Sequence, residues 1–98
     1  MRLVFDIDDT ILFCDKEYKI KYCDHKMVGS INELHSKGHI IIIWTGRHWD
    51  KLQHTENQLK EIGLKYNTLL MAKPTADYYI DDKSIKPGEF NELYQSIK

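Results

Sequence analysis

The run Ile40-Ile41-Ile42-Ile43-Trp44 constrains this chain more than any other stretch. β-Branched residues in succession lose side-chain freedom in a helix and pack well on a pleated surface. The run is strand-sized, far short of the about 20 apolar residues that span a bilayer. It has no polar residue at alternate positions, so it does not read as a strand with one face in water. It reads as a parallel strand covered on both faces. Parallel strands need crossover connections, and the flanking sequence supplies helices for them. Residues 24–37 place Met27, Val28, Ile31 and Leu34 at helical spacing, with Asp24 as N-cap and Gly38 as C-cap. Residues 49–62 place Leu52, Leu59 and Ile62 on one face, and Gly63 ends them.

Three further short runs read as strands: residues 2–6, 68–71 and 77–80. Residues 11–22 lack clean periodicity and read as a loop or short hairpin. Residues 89–97 close with a helix whose stripe is Phe90, Leu93, Tyr94 and Ile97. Strand–helix alternation predicts an α/β fold, a three-layer Rossmann-like parallel sheet of about four strands with helices on both faces. The connection at 72–76 is too short for an ordinary helix. The 98 residues suffice for a single domain, 1–98, with one core.

The formal net charge is −1 with both signs interspersed, so a general pull towards nucleic acid is not indicated. No signal peptide precedes the first strand, and a cytoplasmic, non-membrane protein is expected. Cys14 and Cys23 are then expected as reduced thiols. A metal site using both with His25 lacks the close cysteine pairing of structural zinc sites.

The chemistry gathers at the strand ends. MRLVFDIDDT sets Asp6, Asp8 and Asp9 directly behind an apolar strand. Side chains alternate along a strand, so Asp6 and Asp8 point the same way. A second pair, Asp81 and Asp82, follows Tyr79-Ile80. If the last strand lies beside the first, these carboxylates converge at the carboxyl edge of the sheet, where open parallel sheets bind ligands. Clustered carboxylates repel, and a Mg²⁺ ion would relieve the repulsion and bring a phosphate group with it. Thr45 and Gly46 follow the second strand and can donate to phosphate oxygens. Lys73 follows the third and can neutralise a phosphate or restrain a carboxylate. Taken singly, each has a plainer reading: an acidic turn in solvent, a helix cap, a surface lysine. Arg47 and His48 are either substrate contacts or the exposed start of a helix. His35, His39 and His54 show no partners at ligand spacing.

DIDDT resembles the D-x-D-x-T signature of the haloacid dehalogenase superfamily. IIIIWT is similar to its second motif, Lys73 to its third and IDD to its fourth, in family order and over nearly the whole chain. GHIIIIWTGR to KPTADYYIDDK also resembles small phosphatases of capsule and sugar biosynthesis. The resemblance implies a strand order of 3-2-1-4. It also implies Asp6 as nucleophile, Asp8 as general acid and base, and Thr10 as a support of the loop. Thr45 and Lys73 would hold the phosphoryl group. Asp6, the Asp8 carbonyl and Asp82 would bind Mg²⁺, with Asp81 supporting; which of Asp81 and Asp82 ligates directly stays open. An acid at Asp8 favours phosphate-ester hydrolysis over dehalogenation. Neither gap between motifs has room for a cap domain, so the site should be open. That suits a macromolecular substrate, or a small phosphorylated metabolite such as a sugar phosphate enclosed by a second protomer of a homo-oligomer. A non-catalytic phospho-acceptor module is the competing class. In receiver domains, however, the acidic pair comes first and the phosphorylated Asp later, the reverse of the order here.

Overall fold

The computed structural model describes all residues, 1–98. Its elements follow in the order β1 (Arg2–Phe5), β2 (Leu12–Cys14), β3 (Ile20–Cys23), α1 (His25–Ser36), β4 (Ile40–Trp44), α2 (Leu52–Glu61), β5 (Thr68–Leu70) and α3 (Phe90–Ile97). A 3-10 turn, Trp49–Lys51, leads into α2 and another, Pro87–Glu89, into α3. The fold class is as expected: an α/β domain on a parallel sheet. β4 lies in the middle, pairing in parallel with β1 on one side and β5 on the other.

Each helix has a local cause. The Asp24 carboxylate accepts from the Met27 amide at 3.0 Å and starts α1. Gly38, at φ +91°, and Gly63, at φ +72°, take left-handed conformations just after α1 and α2. The inner stripe of α1 (Met27, Val28, Ile31, Leu34) is buried as predicted. It meets Phe5, Ile41 and Ile43 of the sheet, Leu59 of α2, and Phe90 and Tyr94 of α3 in one core. Phe5 and Phe90 pack edge to face with centroids 5.1 Å apart.

Two details differ from expectation. Residues 77–80 do not form a fourth strand, and residues 74–89 are all exposed. A parallel crossover takes a dozen or more residues. The connection after β5 is too short to carry the chain back under the sheet to the free edge of β1. The helices also occupy one face only. Two right-handed crossovers that step in one direction, β1 to β4 to β5, put α1 and α2 on the same side. α3 joins them there, since Tyr94 bonds to Glu33 of α1. The opposite face keeps Val4, Ile40 and Leu70 exposed. The segment after β1, expected as a loop or short hairpin, is an antiparallel hairpin, β2 and β3. No helix is long and apolar enough to cross a membrane.

Candidate active site

β1 ends at Phe5, and the next residues alternate cleanly. Ile7 is fully buried, so Asp6 and Asp8 on either side of it project towards the surface. The chain then turns tightly. The amides of Thr10, Ile11 and Leu12 all donate to the Ile7 carbonyl, and Asp9 adopts a left-handed φ of 62°. Ile11 and Leu12 are fully buried and anchor the far side of this turn. Thr10 sits within it, half-buried.

Two cations answer the carboxylates. Lys73 Nζ lies 3.7 Å from Asp6 Oδ2, while Asp6 Oδ1 accepts from the Ile7 amide at 2.8 Å. The Lys73 ammonium also faces the Trp44 and Tyr79 rings, 5.3 and 4.5 Å from their centroids. Arg47 takes both oxygens of Asp8: Nε to Oδ2 at 3.0 Å and Nη2 to Oδ1 at 2.9 Å. Its other terminal nitrogen, Nη1, donates to Thr55 Oγ1 at 3.2 Å and to Gln58 Oε1 at 2.6 Å. The Tyr18 ring covers the guanidinium at 4.5 Å. Burial alone would lower the Arg47 pKa, but the hydrogen bonds and charge of Asp8 outweigh it and hold it above its ordinary value.

The loops after β4 and β5 are zipped together by backbone bonds. The Thr45 amide donates to the Leu70 carbonyl, the Lys73 amide to the Thr45 carbonyl and the Ala72 amide to the Arg47 carbonyl. This brings Lys73 beside β1 and Arg47 beside Asp8. Ala72, at φ 60°, carries the turn between β5 and Lys73.

Of the remaining predicted residues, Arg47 departs from the sequence reading. Arg47 is neither the exposed start of a helix nor a free substrate contact; it is 2% exposed and faces inward. His48 is exposed. Thr45 is fully buried, with its hydroxyl oxygen accepting from the Arg47 amide at 3.2 Å. Gly46 is exposed, and a Cβ there would meet only the Lys73 carbonyl at an ordinary 3.7 Å. Asp81 and Asp82 are both exposed, and Asp81 Oδ1 accepts from the Lys83 amide at 2.8 Å. No three acidic, histidine or cysteine side chains gather into a group that could hold a metal ion. The side chains of Asp6, Asp8 and Asp82 do not form such a group. Lys73 and Arg47 offset the charge of Asp6 and Asp8. Both cysteines are free, and burial pushes both thiols up.

Thr55 and Gln58 were not foreseen. The signal was present: both are polar residues on the inward stripe of α2, between Leu52 and Ile62.

A family model described as haloacid dehalogenase-like hydrolase matches residues 3–98. The chain belongs to the haloacid dehalogenase-like hydrolases. In keeping with this, a crystal structure of a protein from Vibrio cholerae superposes with a TM-score of 0.71 at 20% identity. The match covers 99% of this chain and 98% of that one, and at this identity it speaks for the fold. A search of curated proteins gives no match.

Proposed function

We propose that this haloacid dehalogenase-like hydrolase is a phosphomonoesterase working through an aspartyl-phosphate. The observation that carries this reading is the pair Asp6 and Asp8, side by side after β1, each facing its own cation. Asp6 would attack phosphorus while the bond to the leaving oxygen breaks, and Asp8, entering this step protonated, would give that oxygen its proton. Asp8 would then take a proton from water as the water attacks phosphorus. The Asp6–phosphorus bond breaks, releasing phosphate and restoring both carboxyls. Lys73 would offset charge on the phosphoryl oxygens. A carboxylate offers about four lone-pair sites. Asp8 therefore keeps acceptor capacity beyond its two bonds to Arg47.

Mg²⁺ belongs to the proposal through the family alone, and no step above is routed through it. The substrate proposed is a small phosphorylated metabolite such as a sugar phosphate, from the resemblance to capsule and sugar phosphatases. No domain is inserted between Asp6 and α1, where only the hairpin stands, or between β4 and β5. We therefore infer a capless enzyme whose open site is covered by another protomer. Sedimentation should show a homo-oligomer; a monomer with efficient small-substrate turnover overturns that part.

The decisive experiment is hydrolysis of an aryl phosphate with and without Mg²⁺. Asp6→Asn should abolish turnover, and chelation should suppress it. Retained activity in Asp6→Asn removes the nucleophile. Activity indifferent to chelation removes the metal and leaves the carboxylate chemistry standing.

A further inference from the structure

Arg47 has no step of its own in this chemistry, yet its side chain makes five hydrogen bonds. A guanidinium has five N–H donors. Here the acceptors are the two Asp8 oxygens, Thr55 Oγ1, Gln58 Oε1 and, at 3.6 Å, Cys14 Sγ. No donor is left for a substrate phosphate, and the group is 2% exposed. It is built to face inward.

We propose that Arg47 is the positioning residue for Asp8, setting the direction in which that carboxyl meets the leaving-group oxygen. The inference rests on the phosphatase reading. An aspartate side chain that is a third exposed has rotamer freedom, and a planar fork gripping both oxygens removes it. A long arginine needs anchoring in turn. Thr55 and Gln58 hold the far nitrogen from one turn of α2, and the Tyr18 ring closes over the carbon. Gln58 is itself fixed, since its Nε2 donates to the Tyr18 carbonyl, which also receives His54 Nε2 at 2.9 Å. The bend between β2 and β3, helix α2 and the acid thus form one continuous hydrogen-bonded chain.

Positioning an acid matters in proportion to how badly the leaving group needs its proton. An alkoxide needs it; a nitrophenolate hardly does. The test compares kcat/KM for a primary alkyl phosphate and for 4-nitrophenyl phosphate, with the inhibition constant of inorganic phosphate alongside. Arg47→Lys should lower kcat/KM for the alkyl ester by about 10–100-fold, a share of what general acid catalysis ordinarily supplies. The aryl ester should fall by less than about threefold, with phosphate inhibition unchanged. Gln58→Leu leaves Arg47 in place, so it should show the same selectivity at smaller size. It also serves if Arg47→Lys does not fold. Equal losses on both esters in either folded variant overturn the positioning role. Weakened phosphate inhibition overturns it in favour of a substrate contact. A wild-type protein inactive on both esters overturns the phosphatase reading, and this inference with it.

Discussion

Asp6 and Asp8 are two residues apart and chemically identical, yet their surroundings differ. Asp6 faces a lysine at 3.7 Å that stays 18% exposed, a loose ion pair that a phosphoryl group could enter. Asp8 grips an arginine whose side chain is 1% exposed. Removing one partner of a buried pair strands the other charge, at about 3–5 kcal/mol. Asp8→Ala should therefore destabilise the fold by about 3 kcal/mol, the low end because Asp8 itself is a third exposed. Asp6→Ala should cost less than about 1 kcal/mol, as for an exposed pair. Urea unfolding of the two variants checks this; equal losses would mean that the Arg47 pair is not the stronger anchor.

Elements whose cause is local were legible in the sequence. Asp24, the apolar stripe of α1 and Gly38 lie next to one another in the chain and specify that helix between them. β1 and β4 were legible because continuous apolar runs of that length have few alternatives. Asp6 and Asp8 were legible as a pair because the pleat has a period of two. The errors lie where the outcome depends on distant parts. Tyr79-Ile80 has strand-forming residues, but pairing depends on a connection long enough to reach β1, and residues alone do not supply the path. Arg47 follows Gly46 at an apparent loop, and its burial depends on Thr55 and Gln58 from a helix still to come. Polar residues on an otherwise apolar helical stripe are the trace such a network leaves in a sequence.

At the scale of the whole molecule, the one-sided helix layer has a thermal consequence. The heat-capacity increment of unfolding follows the apolar surface newly wetted, ordinarily about 12–15 cal/mol/K per residue. Val4, Ile40 and Leu70 already meet water in the folded chain, as do Tyr78 and Ile80. Scanning calorimetry of a dilute sample should thus give less than about 1.2 kcal/mol/K for this length. A value of about 1.5 or more would mean that the bare strands are covered in solution. With a small increment, the stability curve flattens, and the protein's resistance to unfolding changes little between cold and warm conditions.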